Sequence, residues 1–151
     1  MWARLRRFSA LPGPAIGLFL RAVLLLPFLM LSLRLRGFRA TQISLQKSLT
    51  AANGNLPEEA ATQRVATVSR MVLAAARVCP IRSTCLERSL CLWWLLARQN
   101  IATQFRIGVK KDGENFSAHA WVERNGEAIG EPDPSHLHFA AFDQEMFGDA
   151  L

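Results

Sequence analysis

Ser117-Ala118-His119-Ala120-Trp121-Val122-Glu123 is the stretch on which the fold turns. It alternates as a β-strand does, so Ser117, His119 and Trp121 share one face. Ala118 and Ala120 are small and leave room for the imidazole to face a cleft. Upstream lies Thr84-Cys85-Leu86-Glu87-Arg88-Ser89-Leu90. Thr84 is a good helix N-cap, and Glu87 three residues on completes a capping box. Cys85 therefore opens a helix. Unpaired N–H groups and the positive end of the helix dipole favour a thiolate there, and the same N–H groups suit an oxyanion. Arg82 and Arg88 add positive potential. A thiol and an imidazole that meet form a nucleophile and its base. Taken singly, Cys85 reads as a small buried hydrophobe and His119 as a hydrogen-bonded core histidine. Their meeting is what would make a site.

Working outward, the period changes once along the chain. Ala3 to Phe8 reads as a short basic helix, broken by Leu11-Pro12-Gly13-Pro14. Ala15 to about Leu35 reads as a long apolar helix, kinked or interrupted near Pro27, which Gly37 can end. Thr41 to Ala52 is spaced for a short helix, and Asn53-Gly54-Asn55 for a turn. Pro57-Glu58-Glu59 opens a helix that runs to about Val78, with Val65, Val68, Val72 and Ala75 on one face. The helix from Cys85 runs to about Arg98 and is apolar on most sides, which predicts a central position. Trp93 and Trp94 read as core rather than as a binding box.

After Asn100 the pattern is that of strands, over Thr103–Val109, Phe116–Glu123 and Ala128–Glu131. Lys111-Asp112-Gly113 marks one turn, and Asn125-Gly126 marks a hairpin. Pro132-Asp133-Pro134 stops the last strand. The tail from His136 has a short helix or strand around Phe139–Phe142. Helices first, then a small antiparallel sheet, is an α+β layout. The division expected is a helical, apolar and basic region at 1–56 and a core at 57–151.

A general base needs a third group to fix its tautomer. Two carboxylates stand beyond the hairpin for this: Glu131 on the next strand and Asp133 just after it. His136 and His138, with His119, are too few and too scattered for a structural zinc site. No metal and no cofactor is expected. Cys79, Cys85 and Cys91 leave one thiol unpaired under any disulfide scheme, and a reduced, cytoplasmic protein is the simplest reading. Cys79 lies at a helix end and Cys91 inside the apolar helix, so neither has the setting of Cys85.

The formal charge of +6 is unevenly spread. Residues 1–40 hold seven arginines and no acid, while residues 126–151 hold six acids and no lysine or arginine. A basic head suits anionic lipid or an acidic partner patch. No nucleic-acid motif stands out, and no nucleic-acid partner is expected. The apolar run at 15–33 is interrupted by Arg21, and its uncharged part falls short of the ~20 residues of a spanning helix. No small-x-small cleavage site follows it. Three readings stand open for residues 15–35: a helix packed on the domain or a partner, a peripheral membrane contact, or a spanning segment or signal.

The run from Cys85 to Glu131 resembles the protease domain of lasso-peptide maturation proteins, within the transglutaminase-like cysteine proteases. That family's pattern is a Cys-Leu-x-x-Ser-Leu helix, a Gly-Val strand, an Ala-His-Ala-Trp-Val-Glu strand, then a strand ending in a carboxylate. Cys85, Ser89, Leu90, Gly108, Val109 and Ala118 to Glu123 match in order and spacing. The resemblance covers about residues 78–135. It implies a transglutaminase/papain-like core, with a central Cys-bearing helix packed on a small antiparallel sheet. It further implies a protease that cuts the leader from a ribosomally made precursor peptide, with Cys85 as nucleophile and His119 as base. The family's third member is an aspartate about twelve residues after the histidine. Here Glu131 stands at that offset, with Asp133 two residues on, so the triad is Cys-His-Glu/Asp. Glu131 is slightly favoured, because Asp133 lies between prolines.

Some such proteins carry an N-terminal leader-binding domain. At 151 residues this chain is expected to lack one, and so to resemble the stand-alone protease of a split system. Its expected partners are the precursor peptide, a separate leader-recognition protein and a macrolactam-forming cyclase. The exposed part of the apolar N-terminal helices is the expected surface for them. Two rival readings stay open: an acyltransferase with the same Cys–His site, and a non-enzymatic membrane-surface scaffold.

Overall fold

A computed structural model describes residues 13–49, 56–112, 115–131 and 134–142. The short basic helix expected before Leu11, the Asn53–Asn55 turn, Gly113, Asp133 and the end of the tail lie outside the described residues. Three helices precede a four-stranded antiparallel sheet: α1 (Gly13–Lys47), α2 (Glu58–Val78), α3 (Cys85–Ala97), β1 (Gln104–Asp112), β2 (Asn115–Arg124), β3 (Glu127–Ile129) and β4 (Ala140–Ala141). A short 3₁₀ turn, Pro134–His138, precedes β4. The fold is α+β, and the sheet order is β3-β2-β1-β4.

The first arm of α1 ends at Gly37 as expected, but no interruption falls at Pro27, which lies inside the helix. Gly37 has φ 77° and ψ 174°, a backbone open essentially to glycine alone. The two arms fold against each other there. Ser32 and Thr41 share a hydroxyl–hydroxyl hydrogen bond of 2.8 Å. A continuous helix would hold residues nine apart at about 13 Å along its axis. Both hydroxyls are buried, and Thr41 also donates to the Gly37 carbonyl, so the corner leaves neither group unsatisfied.

One hydrophobic core joins all three helices to the sheet. Leu18, Ala22, Leu26 and Leu29 of α1 pack with Val68 and Val72 of α2, with Leu90, Leu95 and Leu96 of α3, and with Phe105 and Val122 of the sheet. The central position expected of α3 is observed: six of its residues from Leu90 to Leu96 are buried. Trp93 is core. Trp94 is partly exposed, donates to the Ser48 hydroxyl at 2.8 Å and lies under Arg98.

The strands run longer than the alternation predicts. β1 continues through Lys110 and Lys111 to Asp112 because each has a partner on β2, ending with Asp112 opposite Asn115. β3 is shorter than predicted. It stops at Ile129, and Glu131 lies beyond it. The Asn125-Gly126 turn has positive φ at both residues, 53° and 80°, as a two-residue hairpin of right-handed strands requires.

Gly37→Ala is expected to destabilise the protein by about 1–3 kcal/mol, because alanine disfavours that backbone conformation. A thermal unfolding midpoint several degrees lower, followed by circular dichroism, would show it.

Candidate active site

Cys85 is the first residue of α3, and Thr84 is its N-cap. The capping box forms: the Glu87 carboxylate accepts from both the backbone N–H and the hydroxyl of Thr84. Glu87 is itself buried, so these bonds hold a charged side chain in place at the helix start. Cys85 is partly exposed, whereas Cys91 is fully buried in the core. Burial pushes the Cys91 thiol up to about 12, which leaves it protonated and inert at neutral pH. Cys79 caps the C-terminus of α2.

One turn after Cys85, the Ser89 hydroxyl donates to the Ala120 carbonyl at 2.8 Å. Both groups are buried. This bond pins the first half of α3 to the residue that follows His119. Cys85 thus lies one helical turn, about 6 Å of rise, from the tie to the histidine strand.

His119 lies on β2 opposite Gly108 of β1. Its Nε2 is 3.0 Å from Oε2 of Glu131, and both side chains are largely shielded from solvent. An ionised carboxylate only accepts, so in a contact with one Nε2 is the donor. The imidazole is flanked by Trp121 and Phe139, with ring centroids 5.9 Å and 5.3 Å away. Trp121 is buried, and its indole N–H donates at 2.7 Å to Glu123, two residues on along the same face. Glu123 in turn pairs with Arg106 of β1 at 3.1 Å. A side chain at Gly108 would meet the Trp121 ring at 2.8 Å and the Ala140 carbonyl at 2.9 Å, so glycine there admits the aromatic wall beside His119.

How Glu131 reaches His119 is not a matter of strand alternation. β2 and β3 pair Val122 with Ile129 and Glu123 with Ala128. Continued in that register, residue 131 would oppose Ala120 and point to its face, which is the other side of the sheet from His119. The register does not continue that far: the strand stops at Ile129, and Gly130, with φ 73°, ends its regular backbone before Glu131. A Cβ on Gly130 would also lie 2.6 Å from the end of the Leu92 side chain. Sequence reasoning missed Gly130. The available signal was a lone glycine between a β-branched residue and the carboxylate.

The structure therefore brings His119 and Glu131 together and sets Cys85 at the head of the helix tied to the same strand. Asp133 lies outside the described residues. His136 sits over Trp121, at 6.1 Å between ring centroids. No cluster of three or more metal-ligating side chains occurs among the described residues.

The family profile of the transglutaminase-like superfamily matches residues 22–142. The chain belongs to that superfamily. The superfamily typically contains cysteine-based peptidases and transferases, and membership suggests a cysteine protease- or acyltransferase-like function. No curated protein matched the chain, and no solved structure did. The matched stretch begins inside α1.

Gly130→Ala is expected to cost about 1–2 kcal/mol for the left-handed backbone alone. It should also pull Glu131 from the ring. A changed His119 ring nitrogen shift in NMR, alongside a lower unfolding midpoint, would report both; an unmoved shift would mean that the strand end does not aim the carboxylate.

Proposed function

We propose that this transglutaminase-like domain is a cysteine protease that removes the leader from a ribosomally synthesised lasso-peptide precursor. The observation that carries the reading is the His119–Glu131 contact, on the strand to which the Cys85 helix is pinned. The match of Cys85, Ser89, Leu90, Gly108, Val109 and Ala118 to Glu123 to the maturation-protease pattern supports the choice of substrate.

In this reading Cys85 Sγ attacks the scissile carbonyl, and its proton passes to Nδ1 of His119. Backbone N–H groups at the start of α3 hold the oxyanion. His119 then gives the proton to the leaving amine, and the peptide remains as a thioester on Cys85. Water, deprotonated by the same nitrogen, releases it. Glu131 keeps Nε2 protonated throughout and stabilises the imidazolium, as the third member of the triad. A separate leader-recognition protein presents the precursor, and the cleaved core passes to a macrolactam-forming cyclase.

The acyltransferase reading shares every step up to the thioester and differs only in what resolves it. Incubating the full chain with precursor peptide, leader-recognition protein and an added primary amine, then weighing the products, separates the two. A free carboxyl terminus on the leader supports the protease. A leader joined to an added amine supports acyl transfer.

Cys85→Ala is expected to abolish turnover while leaving the unfolding midpoint nearly unchanged. His119→Ala should lower kcat by about 10²–10⁴-fold, the usual contribution of a general base. Glu131→Gln should fall between the wild type and His119→Ala, since glutamine can still bond the ring but leaves the imidazolium without a counter-charge. Wild-type kcat in Cys85→Ala would remove the thiol mechanism.

Iodoacetamide should modify Cys85 before Cys79, which is likewise partly exposed, and well before the buried Cys91. Peptide mapping by mass spectrometry reads this. Equal, slow labelling of all three would favour a scaffold without thiol chemistry.

A further inference from the structure

Helix α1 carries apolar side chains on two opposite faces, but the molecule covers only one of them. Leu18, Ala22, Leu26 and Leu29 face the core. Ile16, Leu20, Leu24, Phe28, Leu31 and Leu35 are exposed, Leu24 and Leu35 to 74% and 75%. At about 100° of rotation per residue, these six form one continuous stripe opposite the buried face. The stripe runs for about 28 Å. An unbroken exposed apolar face of this size marks an interaction surface.

The charge around the stripe identifies the partner. Arg21 and Arg34 are exposed, and the same rotation puts them on opposite edges of the stripe. Arg36 and Arg39 are exposed at its far end, about the Gly37 corner. The chain has no acid before Glu58, while Arg4, Arg6 and Arg7 precede the helix. An apolar stripe rimmed by arginine is complementary to a sheet of acyl chains beneath anionic headgroups. Length and composition alone would also let α1 cross a membrane. Crossing would pull Ala22, Leu26 and Leu29 out of the core, where each is at most 1% exposed. Lying on a bilayer keeps those core contacts, whereas spanning one would break them.

We propose that the exposed stripe of α1 docks on the surface of an anionic phospholipid bilayer, with the helix lying in the plane of the interface. The domain then works as a peripheral membrane protein. This does not depend on the protease reading, since none of the residues involved belongs to the Cys85, His119 and Glu131 machinery.

The test is co-sedimentation of the full chain with vesicles of phosphatidylcholine alone or of phosphatidylcholine mixed with phosphatidylglycerol. Binding to the mixed vesicles, weaker on phosphatidylcholine and weakened by high salt, is the expected result. Leu24→Glu with Leu31→Glu should weaken it by roughly tenfold or more, as two apolar contacts are lost. Arg34→Gln with Arg36→Gln keeps the stripe, and should weaken binding only to the anionic vesicles; it also serves if the first variant misfolds. No vesicle binding, or binding indifferent to both variants, overturns the proposal. So does a dimer, or a complex with a protein partner, that forms without lipid and is broken by the leucine variant.

Discussion

The near-complete burial of α3 is the constraint around which the molecule is arranged. A helix apolar on most of its surface is stable in water only when covered on several sides at once. α1, α2 and the sheet supply that cover. Only the ends of α3 come near solvent, and the N-terminal end carries Cys85. The same packing that hides Cys91 and raises its pKa leaves Cys85 partly exposed. A single helix thus separates an inert thiol from an accessible one by less than two turns.

Burial alone would leave α3 free to slide on the sheet. The Ser89–Ala120 bond removes that freedom, because a hydroxyl buried at this interface must find an acceptor. Glu87 fixes the start of the helix in the same way, through its bonds to Thr84. Glu123 satisfies the buried Trp121 indole and holds the aromatic wall beside His119. In each case a polar group that would be costly to bury is satisfied by contacts that also set a position the site depends on.

The site and the outer face of α1 place opposite demands on the chain. The site needs shielded polar groups with defined partners, and the fold supplies them. The outer face of α1 leaves large apolar side chains in water without cover from the described residues. The Gly37 corner joins the outer face of α1 to the core. It lets the second arm of α1 return to the core, where Thr41 and Leu45 are buried, while the first arm keeps Leu20, Leu24, Leu31 and Leu35 outside.

The order of elements, the capped start of α3, the Asn-Gly hairpin and the alternation that sets His119 beside Trp121 were all legible in the sequence. Each depends on the intrinsic preferences of a few neighbouring residues, and short-range preferences survive without knowledge of the rest of the chain. Three other features were decided by tertiary structure. Pro27 left the first arm of α1 unbroken, and at Gly37, which the sequence already marked as a helix end, the chain turned back so that two buried hydroxyls meet. Glu131 left the strand it was assigned to, because Gly130 turns the backbone against Leu92. Only one side of α1 was covered, because α2 and α3 reach no further round it. Sequence patterns record which side chains avoid water, but where the covering stops depends on which distant surfaces meet.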